Sequence, residues 1–349
     1  MTARARSIPI GKLHAVRTIV THGYPDGGVC PDGLASALLC RDALPDAKVV
    51  FAVYNTSEYE SLPVEEHMLF VDMTPPAARA DEFRRAGTIV LDHHKDKEAL
   101  VASFGELGVF ADETREPGVS GAVLAYEHVW RPLVLGHPAR QSVSSSASQE
   151  ALLVATAHDF AMLAGIRDTW QTRSPRWQEA CEQAAVLLFF SPDDWLSHPW
   201  LSDEARLSER MKLGSTIIER HRKESEALVK DAYRFTTPDG TRVMVLASTK
   251  ISDAAEASKD AADVVVGFSF TASSPQGPMM RLSFRSKTKD VSAFARLLGG
   301  GGHTGAAGAA VPLGDHTVDR GDNAHIAANP YAFIHILIPQ LEENLRGSR

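Results

Sequence analysis

Acidic and histidine side chains recur at the ends of apolar segments in the first half of the chain. The stretch THGYPDGGVCPDG contains Pro-Asp-Gly twice, directly after the apolar run VRTIV. Further acidic positions follow the apolar runs MLFV, TIVL and AMLAGIR, and we place all of these positions at the ends of strands. The candidate functional residues, in chain order, are His22, Asp26, Asp32, Asp72, Asp92, His93, His94 and Asp168.

A single aspartate after a strand is more often a helix cap or a turn former than a functional group. The recurrence matters because ligands of parallel α/β sheets bind beyond the carboxyl ends of the strands. Several negative charges that meet in one crevice are costly without cations. Mixed Asp and His donors suit manganese or a similar divalent ion, whereas thiolates favour zinc.

The elements that must position these residues alternate along the first half of the chain. We interpret HAVRTIVTH, KVVFAVY, HMLFVDM and TIVLDHH as strands, and GLASALLCRDAL and RADEFRRAG as helices. This β-α-β-β-α-β order, with strands rich in Val and Ile, predicts a mostly parallel sheet flanked by helices.

The second half of the chain has a different composition and a different pattern of predicted elements. A charged, helix-prone segment at 203–231 predicts one long connecting helix. After it we predict a hairpin at Asp239-Gly240, strands in ADVVVGFSFTA and MMRLSFRS, and a helix in SAFARLL that runs into a glycine-rich loop. The predicted organisation is an α/β domain at 1–202, a connecting helix or linker at 203–232, and a smaller α/β domain at 233–349.

Composition narrows the function classes. The length of 349 residues favours two domains. The formal net charge of −8 argues against binding of long duplex DNA through an extended basic surface. Three cysteines make neither a disulfide framework nor a CxxC zinc pattern. Without a signal-peptide core or an apolar run that could cross a bilayer, we expect a cytoplasmic location and no membrane partner.

Leu91-Asp92-His93-His94 resembles the signature of the DHH phosphoesterase family. The surrounding segments follow the order of that family: His22 with Asp26 and Asp32, then VDMT with Asp72, and RDTW with Asp168 after LDHH. GGGGHTGAAG (299–308), preceded by SFRS (283–286), resembles the DHH-associated C-terminal domain. The resemblance spans about 17 to 312, and the two motifs together are highly specific.

The resemblance implies a site for two divalent ions, with Mn²⁺ as the preferred metal. His22 and Asp26 would bind the first ion, and Asp72 would bridge both. Asp32, His93 and Asp168 would complete the second. His94 would face the substrate phosphate, with Asp92 fixing the imidazoles. Asp159 is a rival for the fourth motif, and we prefer Asp168 because it ends an apolar segment.

The glycine-rich segment is the candidate substrate-binding element. Glycines let backbone N–H groups approach an anion closely, and an arginine can bind a phosphate with two hydrogen bonds. The predicted substrate-binding residues are Arg285, Ser286, Gly300, Gly301, Gly302 and His303. The resemblance places the active site in the cleft between the two domains.

The resemblance implies hydrolysis of phosphate esters by metal-activated water, with short single-stranded oligonucleotides or small nucleotides as substrates. Within the family, the chain resembles the nano-RNases that also act as phosphoadenosine phosphate phosphatases, and the implied activities include those of an oligoribonuclease and an exonuclease. The alternatives are a cyclic-dinucleotide phosphodiesterase and a nucleotide-binding regulatory module with an altered metal site. The regulatory module belongs to a different functional class, because it would bind a nucleotide without hydrolysing it. Whether the protein forms a homodimer is not decided by the sequence.

The first motif departs from the family pattern of His, three residues, Asp, one residue, Asp. His22 and Asp26 keep the first spacing, but Asp32 comes four residues late. If Cys30-Pro31-Asp32 is instead the counterpart of the Asp pair, one ligand has become Cys. We expect Asp26 and Asp32 to reach the metals and Cys30 not to, because a thiol is a poor manganese ligand.

Overall fold

The computed structural model describes residues 7–24, 28–54, 56–112, 116–136, 147–248, 251–258, 261–271 and 279–312, with 334, 335, 337–339 and 343. The chain divides into two compact units, Met1–Ile217 and Ile218–Arg349. Across the described residues, no helix combines the length and the apolar character that spanning a membrane would require.

The first unit is built on a five-stranded sheet in which every pairing is parallel. Its strands are β1 (Thr18–His22), β2 (Lys48–Ala52), β3 (Met68–Val71), β4 (Ile89–Asp92) and β5 (Gly108–Phe110). Their order across the sheet is β2-β1-β3-β4-β5. The strands β3 and β4 are buried along their whole length, as apolar strands of a parallel sheet should be. The predicted parallel sheet is confirmed.

Helices cover the sheet of the first unit. An apolar cluster that includes Val20, Phe70, Phe83, Val90 and Phe104 fills the space between strands and helices. The helices are α1 (Ile10–Ala15), α2 (Pro31–Ala43), α3 (Ser57–Glu60), α4 (Ala80–Arg85), α5 (Glu98–Ala102), α6 (Gly121–Ala125), α7 (Arg131–Leu135), α8 (Ala147–Asp168), α9 (Trp177–Phe189), α10 (Pro192–Leu196) and α11 (Glu204–Met211). A π-helical turn at Tyr126–Trp130 joins α6 to α7.

The charged segment forms two helices, so the prediction of one long helix at 203–231 is wrong. α11 ends at Met211, and α12 (Gly214–Lys230) begins after a turn in which Leu213 N donates to Arg210 O at 3.2 Å. A Cβ on Gly214 would lie 2.7 Å from Cβ of Glu182 in α9. Close packing of Gly214 on α9 therefore accompanies the break.

The second unit contains a six-stranded mixed sheet. Its strands are β6 (Tyr233–Thr236), β7 (Arg242–Ala247), β8 (Val264–Thr271), β9 (Met279–Arg285), β10 (Gly301–His303) and β11 (Ala306–Pro312), in the order β10-β11-β9-β8-β7-β6. Only β7 and β8 pair in parallel among these strands. The hairpin predicted at Asp239-Gly240 is the antiparallel pair β6–β7. The helices α13 (Ile251–Ala257) and α14 (Val291–Leu297) belong to this unit.

The glycine-rich segment is largely a strand, where a loop was predicted. β10 pairs antiparallel with β11, with Gly301 opposite Gly308 and His303 opposite Ala306. A Cβ on Gly300 would lie 2.1 Å from the backbone oxygen of Gly308, and one on Gly302 2.6 Å from Cα of Ala307. Glycine is therefore required at both positions for β10 to pack on β11.

Candidate metal centre

Three adjacent strands of the first unit end in candidate residues. His22 is the last residue of β1, Asp72 follows β3, and Asp92 ends β4. Because β1, β3 and β4 are parallel neighbours, their carboxyl ends lie along one edge of the sheet. The sequence order of apolar runs is enough to bring these side chains together.

The imidazole of His93 is surrounded by three carboxylates. Its Nε2 lies 3.0 Å from Asp72 Oδ1, 3.6 Å from Asp168 Oδ2 and 3.8 Å from Asp32 Oδ2. The ligand atoms of Asp32, Asp72 and His93 all lie within 4.8 Å of one another. Asp32, Asp72 and His93 are buried. One imidazole nitrogen and several carboxylate oxygens in this space form a donor set that suits a hard divalent ion.

Asp168 joins this group from a helix. The expectation that it follows a strand is wrong, because AMLAGIR is the last part of the 22-residue helix α8, which ends at Asp168. Asp159 lies nine residues earlier on the same helix and is half-exposed, with Arg176 Nη1 at 3.0 Å from its Oδ1. Of the two rivals for the fourth motif, the structure brings Asp168 to His93.

Asp32 is held by residues that the sequence analysis did not single out. It lies in the first turn of α2, and Ser120 Oγ donates to its Oδ1 at 2.7 Å. The backbone N–H groups of Gly121 and Ala122 donate to its carboxylate at 2.7 and 3.2 Å. The only sequence signal for this anchor is a serine before a glycine in an apolar segment, about 90 positions from Asp32 along the chain.

Asp72 has an unusual backbone conformation. Its φ of 61° falls in the left-handed region, which non-glycine residues seldom adopt. Its Oδ1 faces His93, whereas Oδ2 is buried and receives no hydrogen bond from any residue in the described part of the chain. Oδ2 lies on the side of α2, where a Cβ on Gly33 would be 3.2 Å away. Oδ2 of Asp72 therefore lies beside the first turn of α2.

Asp92 organises the turn that carries both histidines. Its Oδ1 accepts hydrogen bonds from the backbone N–H of His93 at 2.7 Å and of His94 at 3.1 Å. The Nδ1 atom of His94 lies 2.7 Å from the same oxygen. If Nδ1 carries the proton, Nε2 of His94 is left as the other functional nitrogen. Asp92 therefore orients the ring of His94 and reaches His93 through its backbone.

The electrostatics show how costly this cluster is. Burial raises the pKa of Asp72 well above its usual range, and the neighbouring Asp32 carboxylate adds to the increase. Burial and the Asp168 carboxylate likewise raise the pKa of Asp32. Burial, reinforced by the nearby His94, lowers the pKa of His22 to about 4. His22 is therefore neutral at physiological pH, which is the form that binds metals.

Asp92 behaves in the opposite way. Burial alone would raise its pKa, but the charges of His94 and His93 and the hydrogen bonds from the ring and the backbone N–H of His94 bring the pKa below the usual value. Asp92 therefore stays ionised next to carboxylates whose pKa values are raised. Such divergent environments within one cluster are typical of functional sites.

The first motif brings Cys30 into the site. The ligand atoms of His22, Cys30 and Asp72 lie within 4.8 Å of one another, so the expectation that Cys30 would stay away from the site is not met by the geometry. Burial raises the pKa of the Cys30 thiol, and the Asp72 carboxylate contributes. Asp26, which we expected as a ligand, lies outside the described residues.

These residues fit a pair of divalent ions. Asp72 belongs to both groups of donors, the one with His22 and Cys30 and the one with Asp32 and His93. Its buried Oδ2, which no described residue satisfies, would gain a partner when an ion binds. A divalent cation would also neutralise the repulsion that raises the pKa values of Asp32 and Asp72.

The predicted substrate-binding residues all lie on the β9–β11 side of the second unit's sheet. Arg285 ends β9 opposite Ala306. Ser286 Oγ donates to Asp263 O at 2.6 Å and accepts from the N–H groups of Thr288 and Lys289. The hydroxyl of Ser286 therefore organises a turn. The others are Gly300, which precedes β10, and Gly301, Gly302 and His303, which form it.

Comparison with known proteins gave only distant similarities. No protein-family model and no curated protein matches the chain. A pGpG-specific phosphodiesterase, PggH of Vibrio cholerae, is 13% identical with a TM-score of 0.35, over 94% of this chain and 99% of that one. The structure of a DHH domain, described as belonging to a family of ribosomal proteins, is 11% identical, with a TM-score of 0.48 and coverages of 86% and 84%.

An exopolyphosphatase-related protein from Bacteroides fragilis is 10% identical, with a TM-score of 0.38 and coverages of 95% and 96%. In the structure, three motifs lie at neighbouring carboxyl ends of a parallel sheet, the fourth reaches them from α8, and a second unit carries the glycine segment. This two-unit α/β arrangement is the one that the resemblance to the DHH family predicts.

Proposed function

We propose that the protein is a divalent-metal-dependent phosphoesterase that hydrolyses short oligonucleotides or small nucleotides. The observation that carries the proposal is the convergence of Asp32, Asp72 and Asp168 on Nε2 of His93. A buried cluster of this kind has no evident structural purpose, because its like charges oppose folding. Bound to cations, the same cluster can act on a phosphate ester.

Each residue has a definite task in this proposal. Asp32, Asp72, His93 and Asp168 would hold one ion, and His22 with Asp72 would contribute to the other. When bound, such ions would lower the pKa of a water and neutralise charge on phosphate oxygens. The Asp92 carboxylate fixes His94 through Nδ1, so that Nε2 can donate a hydrogen bond to a phosphate oxygen when the ring is protonated.

Substrate recognition is assigned to the second unit as part of the proposal. Arg285 supplies a guanidinium group suited to a phosphate, and His303 lies on the adjacent hairpin β10–β11. The cleft between the units stays a prediction from the family resemblance. The formal charge of −8 favours small anionic substrates held at local cationic groups over long nucleic acids.

The test is metal-dependent hydrolysis of a substrate panel. Protein stripped with a chelator is supplied with Mn²⁺, Mg²⁺, Co²⁺ or Zn²⁺ and incubated with labelled di- to pentanucleotides, phosphoadenosine phosphate, pGpG, and linear and cyclic di-AMP. We expect turnover of at least one class that disappears in chelator and returns with metal. Asp168→Asn should lose it, whereas Asp159→Asn, on the exposed face of the same helix, should keep it.

Two outcomes would contradict the proposal. Hydrolysis that persists without metal, or in Asp168→Asn, would remove the cluster from the chemistry. Metal binding without turnover of any substrate would favour the alternative from the altered first motif, a nucleotide-binding regulatory module. If cyclic di-AMP is the substrate turned over fastest, the enzyme is a cyclic-dinucleotide phosphodiesterase.

A further inference from the structure

Between β1 and α2, the described residues on the two sides of positions 25–27 are hydrogen-bonded to each other. Gly23 pairs with Val29 in an antiparallel bridge, and Tyr24 N donates to Gly28 O at 2.8 Å. Cys30 N then donates to His22 O at 3.4 Å. Eight positions apart in sequence, Cys30 and His22 become neighbours because these contacts close the chain at residues 23–24 and 28–29.

The closure places a thiol among potential metal ligands. Cys30 Sγ, a ring nitrogen of His22 and a carboxylate oxygen of Asp72 lie within 4.8 Å of one another. Cys30 and Asp72 are 7% and 1% exposed. A second observation also points to a cation here: Asp72 Oδ2 is buried, lies beside α2 and has no donor in the described part of the chain.

We propose that Cys30 is a metal ligand and that, with His22 and Asp72, it makes one of the two metal subsites thiophilic. A sulfur, an imidazole nitrogen and a carboxylate oxygen are three protein ligands of the kind that bind zinc while leaving a fourth position open. When the ion binds, the thiol proton passes to solvent and the thiolate coordinates. This proposal rests on the metal site of the proposed function, but not on hydrolysis.

The two subsites would then differ in their metal preference. Asp32, Asp72, Asp168 and His93 supply oxygens and one nitrogen, which suit Mn²⁺ or Mg²⁺. The subsite with Cys30 favours Zn²⁺, Co²⁺ or Fe²⁺, since thiolate ligands select softer ions. Because only one subsite contains a sulfur ligand, the two subsites would prefer different ions. Asp72 is common to both subsites.

The test uses the full-length protein loaded with Co²⁺, because a thiolate bound to Co²⁺ absorbs in the near ultraviolet. We expect this charge-transfer band in the wild type and in Cys181→Ser, which removes a buried thiol of α9. Cys30→Ser and Cys30→Asp should lose the band while still binding Co²⁺. In competition titrations, Cys30→Asp should lower the ratio of Zn²⁺ affinity to Mn²⁺ affinity by at least about tenfold. Changes to residues that only contact a metal ligand already alter metal affinity by about 10- to 100-fold, so replacing a ligand should have at least the smaller of these effects.

The possible failures can be told apart. Co²⁺ bound to the wild type without a sulfur band overturns the role of Cys30 and leaves the proposed phosphoesterase intact. No binding of Co²⁺, Mn²⁺ or Zn²⁺ overturns both. The overturning result is measured on the wild type and does not depend on whether a variant folds. A band in the wild type is assigned to Cys30 by its loss in Cys30→Ser, which differs by one atom, provided that the circular dichroism of this variant is unchanged.

Discussion

Asp72 has several features that lower the stability of the folded protein. It is buried, has a φ of 61°, and lies beside His93 with a second carboxylate, Asp32, in the same donor group. A non-glycine residue in that region costs about 1–3 kcal/mol and persists only where the surroundings enforce it. Burial and the neighbouring carboxylate add a further cost, seen in its raised pKa. A residue that opposes folding in these ways fits the role of metal ligand that we propose for it.

Asp72→Asn should therefore separate activity from stability. We expect a loss in kcat/KM of more than about 100-fold, because changes that merely touch the partners of metal ligands already cost about 10- to 100-fold. The metal-free variant should be at least as stable as the metal-free wild type, since the amide is uncharged and nearly isosteric. Steady-state kinetics and urea unfolding in chelator measure the two effects.

The matched control for this prediction is Asp159→Asn, which removes an exposed carboxylate bound to Arg176. It should change neither kinetics nor metal affinity, and its stability should change by no more than about 0.5 kcal/mol. If Asp72→Asn instead lowers the metal-free stability by several kcal/mol, Asp72 is a structural residue and its backbone strain needs another reason.

At the scale of elements, the site depends on the start of α6. Ser120 caps this helix, and the backbone N–H groups of Gly121 and Ala122 point at Asp32. A Cβ on Gly121 would lie 2.4 Å from Cβ of Asp72 and 2.9 Å from Asp32 Oδ2. The helix can approach both carboxylates only because residue 121 has no side chain.

Gly121→Ala should weaken the fold and the metal site together. Overpacking a tight interior typically costs about 1–3 kcal/mol, and here the displaced atoms belong to two proposed metal ligands, Asp32 and Asp72. We expect a lower unfolding midpoint and weaker binding of Mn²⁺, measured by titration of the folded protein at low temperature. Gly11→Ala is the control: Gly11 lies in α1, and no described atom is within 4 Å of its added Cβ.

Gly11→Ala should be neutral or stabilising by up to about 1 kcal/mol, because alanine is the better helix former. If Gly121→Ala binds Mn²⁺ as tightly as the wild type, the start of α6 does not position the carboxylates.

Local patterns account for part of this site. The apolar runs before His22, Asp72 and Asp92 predict buried parallel strands, and neighbouring parallel strands end together. AMLAGIR was mistaken for a strand-like run, because a short apolar segment does not distinguish a buried helix from a strand. It belongs to α8, which still delivers Asp168 to the site.

Long-range contacts explain what the sequence did not predict. Ser120 and Gly121 reach Asp32 across about 90 positions, with no periodic signal that connects them. Gly300 and Gly302 were interpreted as part of an anion-binding loop, yet both are required by the close approach of β11. Cys30 was set aside on the softness of its sulfur, although closure of the preceding loop places it beside His22.

At the scale of the whole molecule, each unit has its own apolar core. One cluster in the first unit centres on β1, β3 and β4, and the second unit has a core that includes Val245, Val266, Phe284 and Phe294. All five tryptophans belong to residues 130–200 and therefore to the first unit. Tryptophan fluorescence thus reports the unfolding of the first unit alone.

Metal should therefore stabilise the two units unequally. An ion that binds the folded form at about 100 times its Kd adds about 2.7 kcal/mol. In a unit of this size that corresponds to roughly 5–10 °C in Tm.

We expect the midpoint of the tryptophan-detected transition to rise by this amount with Mn²⁺ or Zn²⁺, and not to move in Asp72→Asn. Amide exchange in β7, β8 and β9, measured by mass spectrometry, should stay unchanged, because their core holds none of the proposed ligands. Equal protection of both units would mean that they unfold as one cooperative body, and a metal-induced shift that survives in Asp72→Asn would place the ion elsewhere.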